Sequence, residues 1–118
     1  MMTKITSILG DYVADLSYDD LPTEVTGRAR NVVIVLVGSM VRAGKESDST
    51  PSIRRMIERL GLGAPGAARV FGQERRYGPA TAALLNGVLG HSLDFDDTHA
   101  DSSLHPSAPV VPAALAAA

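Results

Sequence analysis

The 118-residue chain contains no cysteine, which excludes a disulfide framework, a thiolate nucleophile, a zinc-thiolate site and an iron–sulfur cluster held by its own side chains. A reducing cytosol tolerates such a composition, so a cytoplasmic location is the expectation. Nor is there an excess of positive charge: 11 basic and 13 acidic residues are mixed along the chain, for a formal net charge of −2. Without a basic stripe, neither nucleic acid nor an anionic membrane surface is an expected partner. Long hydrophobic runs are missing too. The longest, VVIVLVGSMV at 32–41, is bracketed by Arg30 and Arg42 and is about half of the roughly 20 residues a membrane span needs. A secretory leader is not indicated, because Asp11 and Asp15 stand where its apolar centre would be. There are no internal repeats, and an alanine-rich end is the one low-complexity tract.

What is present is a globular composition, 45% hydrophobic, enough for one modest core. Ile5, Ile8, Leu9, Tyr12, Val13 and Leu16 recur every three or four residues and predict a helix over 3–16 whose apolar face needs a partner. SYDDLP reads as a turn, with Pro22 at the first position of a second helix that turns Val25, Ala29, Val32, Val33, Leu36, Val37 and Met40 inward. Its VVIVLV segment is β-branched enough for a buried strand, and the period of the flanking residues decides for helix. Thr50 and Pro51 read as the cap and first turn of a third helix carrying Ile53, Met56, Ile57 and Leu60, closed by Gly61. The glycine- and proline-rich stretch around ARVFG allows loops and one short strand or hairpin. A fourth helix starts at Pro79, where Ala82, Ala83, Gly87 and Gly90 permit close backbone approach. Ser107, Pro109 and Pro112 begin a fifth, all-apolar helix. A helix without a polar face needs cover on every side, so the chain is read as a piece of something longer.

Four aspartates and three histidines fall within HSLDFDDTHADSSLH, residues 91–105. Crowded carboxylates resist burial, so this segment is solvated, cation-bound or partly protonated. Phe95 inside the acidic run is expected to tie the loop to a core. As metal ligands, Asp94, Asp96, Asp97, His99 and Asp101 suit Mg²⁺, Mn²⁺ or Fe²⁺, but their spacing follows neither an EF-hand nor a His-Glu-x-x-His pattern. As titrating groups, a carboxylate beside an imidazole makes a proton-transfer pair.

The stretch AALLNGVLGHSLDFDDTHADSSLHPSAPVVPAALAAA resembles the signature region of the MmgE/PrpD family, which includes 2-methylcitrate dehydratase, cis-aconitate decarboxylase and iminodisuccinate epimerase. Asn86-Gly87, His91, the Leu-Asp-Phe-Asp-Asp-Thr run and His105-Pro106-Ser107 occur in the family's order. SYDDLP and LVGSMVRAG resemble its N-terminal portion, so the likeness covers essentially the whole chain. It departs at Val33, Ile34 and Val35, where members commonly carry an aspartate. The resemblance implies an all-α domain of about five helices over 1–118, with at most one short strand or hairpin near 68–77. In complete members an α+β lid accompanies this domain, usually in a homodimer.

The resemblance further implies a metal- and cofactor-independent lyase that moves a proton beside a carboxylate of a small di- or tricarboxylic acid, as in propionate metabolism. Asp94, Thr98 and His105 match the family's active-site positions, and His91, Asp97, His99 and Ser107 are expected to support them. Such chemistry needs a base, an acid and cations for the developing negative charge. Nothing basic lies between Arg76 and the end of the chain. Further histidine and lysine site residues of the family lie beyond the matched region. The chain is therefore expected to carry part of a site, inactive alone, and to work as a homodimer or with a missing C-terminal half. Two alternatives are a helical interaction module that pairs with a separately encoded half, and a divalent-metal protein using the aspartates.

Overall fold

A computed structural model of the protein describes residues 2–118, with side chains from Lys4 onward. Five helices follow one another: α1 (Met2–Asp15), α2 (Thr23–Glu46), α3 (Ser49–Arg59), α4 (Pro79–His91) and α5 (Ser107–Ala117). A two-stranded hairpin, β1 (Ala68–Arg69) and β2 (Arg76–Tyr77), lies between α3 and α4. It pairs Ala68 with Tyr77 and Arg69 with Arg76, antiparallel. The all-α expectation with one short hairpin near 68–77 thus holds. No helix among the described residues is long and apolar enough to cross a membrane. The chain divides into two compact units, residues 1–30 and 31–118.

Within residues 1–30, the apolar face of α1 stays exposed at Ile5, Ile8, Leu9, Tyr12, Val13 and Leu16. The partner this face calls for is not found in its own unit. A 3₁₀ turn at Tyr18–Asp20 follows, closed by the Ser17 N–H donating to Asp20 Oδ2 at 3.0 Å. Tyr18 is exposed, and its hydroxyl accepts a hydrogen bond from Arg30 Nη2 at 3.1 Å.

Within residues 31–118, the core is built by Leu36, Met40 and Ala43 of α2, Ile57 of α3, Val70 and Tyr77 of the hairpin region, and Ala82, Leu85 and Leu89 of α4. The β-branched segment is helical, as its flanking period indicates, because Leu36, Ser39, Met40 and Ala43 form one buried stripe at helical spacing. The inward face differs from the expected one: Val25 and Ala29 are exposed, as are Ile34 and Val35, while Val32, Val33 and Val37 are half-buried. Met56 of α3 and Leu60 just after it likewise face outward, and Ile57 alone of that expected stripe is fully buried. Gly61, at φ 67°, ends α3 as expected. Its N–H donates to Glu58 O and the Leu62 N–H to Ile57 O at 2.9 Å, the paired bonds of a Schellman stop.

Three expected caps turn out differently. Thr23, not Pro22, is the first helical residue of α2, and the Pro22 carbonyl accepts from the N–H groups of Val25 and Thr26. Thr50 sits inside α3 rather than at its cap, and its buried hydroxyl donates to Ala43 O at 2.8 Å, tying α3 to the last turns of α2. Ser107 is the first residue of α5, and its N–H is capped by Asp97 from ten residues upstream. In the last two cases a hydrogen bond from farther along the chain takes the place of the local cap that spacing suggests. Arg75 and Arg76 donate to the carbonyls of Gly63 and Ala67 and hold the hairpin against its own entry segment.

Helix α4 is the hub of this unit. Pro79 occupies its first turn as expected. Thr81 donates to Leu62 O at 2.9 Å, and the buried Asn86 side chain accepts from Phe71 N–H at 3.0 Å and donates to Arg69 O at 2.9 Å. Helix α5 packs along α4, where a side chain at Gly87 would crowd the Ala108 carbonyl at 3.3 Å. Ser107, Ala108 and Pro112 are buried there, while Val110 and Leu115 remain exposed. The expectation of cover on every side of α5 is met on its α4 face only.

Candidate active site

The site forms where α4 ends and α5 begins. Helix α4 stops at His91, with the Ser92 N–H bonded to Val88 O, and Leu93 packs against the core. Asp94 then takes φ 56°, in the left-handed region that a short polar side chain tolerates, while its N–H returns to His91 O at 2.9 Å. This reversal brings Asp96 back beneath His91. The Asp96 side chain is 0% exposed, whereas Phe95, expected to anchor the loop, is 60% exposed. Because side chains alternate along an extended turn, only one of these neighbours can face inward, and two imidazoles are available to pair with the carboxylate.

His91 Nδ1 lies 3.1 and 3.0 Å from the two oxygens of Asp96. His105 Nδ1 lies 3.5 Å from Asp96 Oδ2 and is buried with no hydrogen-bond partner. His105 Nε2 is 4.0 Å from Asp94 Oδ1, and the Asp94 side chain is 80% exposed at the rim. The two imidazole rings meet edge to face, with centroids 4.8 Å apart. His91, Asp94, Asp96 and His105 each offer a ligand or proton-transfer atom, and those atoms all lie within 4.8 Å of one another.

The remaining polar residues of the segment are spent on the loop itself. Asp97 Oδ1 accepts the Ser107 N–H at 3.1 Å and the Ser107 hydroxyl, capping α5 and supplying negative charge at its positive end. His99 and Leu104 form an isolated antiparallel bridge, with His99 N–H to Leu104 O at 2.8 Å, and His99 Nδ1 sits 2.8 Å from Ser102 Oγ. Ser103, at φ 52°, makes the reversal inside that bridge. Thr98 is exposed just before it. This closed loop carries the chain from Asp97 out and back to His105. Asp101, one of the aspartates considered as a metal ligand, is exposed in the loop's 3₁₀ turn (Ala100–Ser102).

His91 and His105 border an open cleft of about 1140 Å³. Leu84 and Val88 of α4, Leu104, and Ala108 of α5 give the lining apolar surface. A chain of hydroxyls also lines it: Ser47 Oγ to Ser49 Oγ at 2.7 Å, and Ser49 Oγ to Ser92 Oγ at 2.6 Å. The charged residues of the lining are Glu46 and Asp48; no lysine or arginine of the described residues lines it. Nothing in the spacing of the serines singled them out, since they meet across 43 residues. Asp96 was legible as a ligand-type residue but not as the group that two histidines share, because that depends on the left-handed turn at Asp94.

The MmgE/PrpD N-terminal domain family matches residues 7–118. A cis-aconitate decarboxylase-like protein, oryM, of Aspergillus oryzae is 30% identical over 116 residues, 98% of this chain and 23% of that protein. A cis-aconitate decarboxylase of Aspergillus terreus is 27% identical over 113 residues, 96% of this chain and 22% of that protein. The chain thus spans less than a quarter of the length of these relatives. No solved structure matches it. With the family's N-terminal domain matched over nearly all of its length and the helical architecture in place, the chain belongs to the MmgE/PrpD family.

Proposed function

We propose that this chain supplies the histidine–aspartate part of the active site of a lyase acting on small di- or tricarboxylic acids, by proton transfer at carbon beside a carboxylate. The supporting observation is the convergence of His91, Asp94, Asp96 and His105 within 4.8 Å at the edge of a cleft. His105 is the acid or base, since an imidazole exchanges protons near neutral pH and one of its nitrogens is backed by a carboxylate. Asp94, at the rim, takes a substrate hydroxyl or steadies the imidazole, and Thr98 donates a hydrogen bond to the substrate. His91, Asp97, His99 and Ser107 support them, Asp97 and Ser107 by holding the start of α5. Decarboxylation of a cis-aconitate-like acid is favoured over dehydration of a 2-methylcitrate-like one by the names of the relatives.

A polyanionic substrate needs positive charge, and no lysine or arginine of the described residues lines the cleft. We assign that charge to lysines or arginines outside these 118 residues, contributed by further sequence or by a second chain, so the chain alone turns over little. Carbon dioxide release from cis-aconitate and water loss from 2-methylcitrate, measured for the chain alone and mixed with the remaining portion of a relative, test this. Turnover in the mixture that falls by about 10²–10⁴ with His105→Ala supports the reading. Turnover indifferent to His105→Ala refutes it, and full activity of the chain alone refutes the incompleteness.

The same convergence favours a second reading, a divalent-cation site. The set would be two imidazoles and two carboxylates, His91, Asp94, Asp96 and His105, in place of the five residues suggested by sequence. Asp97 and His99 are engaged elsewhere. Calorimetry with Mg²⁺, Mn²⁺ and Fe²⁺ separates the two, and no heat of binding at millimolar metal ends this alternative.

A further inference from the structure

We infer that Asp96 is a positioning residue: its buried carboxylate holds both His91 and His105 as Nδ1–H tautomers and leaves Nε2 of His105, beside Asp94, as the unprotonated nitrogen. An ionised carboxylate only accepts hydrogen bonds. With a side chain 0% exposed, Asp96 has lost its water and depends on nearby donors. The nitrogens that reach it are His91 Nδ1, at 3.0 Å, and His105 Nδ1, at 3.5 Å.

A protonated Nδ1 on each ring turns both approaches into attractions. A bare Nδ1 lone pair against the carboxylate would be repulsive for either ring; His105 Nδ1 is buried with no hydrogen-bond partner, and Asp96 Oδ2 at 3.5 Å is the acceptor a proton there would face. Imidazole in water prefers the other tautomer, with the proton on Nε2, so the preference here runs against the intrinsic one and is imposed by the fold. His105 Nε2 is 4.0 Å from Asp94 Oδ1, beyond hydrogen-bond reach, and that carboxylate is 80% exposed and so screened by water. This leaves the buried Asp96 as the carboxylate that decides where the His105 proton sits. The edge-to-face stacking of the rings at 4.8 Å couples their orientations, so one carboxylate sets two histidines. The same logic governs a buried aspartate behind a catalytic histidine in serine proteases, where replacement by asparagine leaves the geometry and inverts the tautomer.

The catalytic consequence rests on the lyase reading; the tautomers do not. The experiment is a long-range ¹H–¹⁵N correlation on the chain with ¹⁵N-labelled histidine, at a pH high enough for neutral rings, for the unaltered protein and for Asp96→Asn. The expected result is a pyrrole-like Nδ1 and pyridine-like Nε2 for His91 and His105, with His99 as the internal comparison. His105 should revert to the Nε2–H pattern in Asp96→Asn while circular dichroism stays helical. An Nε2–H pattern for His105 in the unaltered chain overturns the inference, even if Asp96→Asn fails to fold. So does an Asp96→Asn spectrum identical to that of the unaltered chain. Expected tautomers in a chain that no partner renders active uphold the inference and count against the lyase reading alone.

Discussion

At the scale of single residues, hydrogen-bond bookkeeping explains most of the polar side chains around α4. Asn86, which the family pattern marks together with Gly87, spends both ends of its amide on the backbone of Arg69 and Phe71. Asn86→Ala leaves a carbonyl and an N–H without partners and is expected to lower stability by about 2 kcal/mol or more, read as a fall in urea midpoint at constant m-value. Asp97 and Asp96 are adjacent aspartates with different duties, one at the start of α5 and the other between two imidazoles. Asp97→Ala should cost about 1 kcal/mol through the lost cap. Its effect on the histidine tautomers should be nil. Asp20 shows the same economy outside the site: hydrogen bonds from Ser17, first from its hydroxyl and then from its backbone N–H, hold its carboxyl below the ordinary aspartate range. Because the folded value is the lower one, the Ser17–Asp20 link helps the fold above the ordinary aspartate range and is lost as pH falls through the lowered value. Carboxyl NMR titration of Ser17→Ala should move Asp20 upward toward the ordinary value.

At the scale of elements, small residues decide how closely the helices approach. A Cβ at Gly90 would lie 2.9 Å from Leu36 Cδ1, in a core where Leu36 is already fully buried. Gly90→Ala gains helix propensity worth roughly 1 kcal/mol and loses about 1–3 kcal/mol to overpacking, so the net expectation is a destabilised protein. A thermal melt showing a higher Tm for Gly90→Ala would mean that Leu36 can yield. The glycines and alanines of α4 were legible as a close-packing signal from composition. Their partners were not, since Leu36 lies 54 residues before Gly90 and belongs to a segment that propensity alone would allow as a strand. The Schellman stop at Gly61 could be placed from sequence because it depends only on one residue's freedom at positive φ.

At the scale of the whole molecule, the core lies within residues 31–118, and no described residue of 4–30 is buried. Local stability should follow that division. Amide exchange followed by mass spectrometry is expected to show the slowest exchange at Leu85–Gly90 and fast exchange throughout α1; equal protection of both would contradict the division. The amino-acid order alone was sufficient for the helical class, the hairpin near 68–77 and the 91–105 segment as the chemically dense part, because periodicity, turn residues and local composition are short-range properties. Which aspartate goes inside depended on the folded chain. Phe95 is the apolar residue and would be chosen by hydrophobicity, yet the left-handed turn at Asp94 and the return of His105 across the loop put Asp96 between two rings instead. Burial of a charge is settled by the donors that meet it, and donors fourteen residues apart meet only when α4 and α5 are packed.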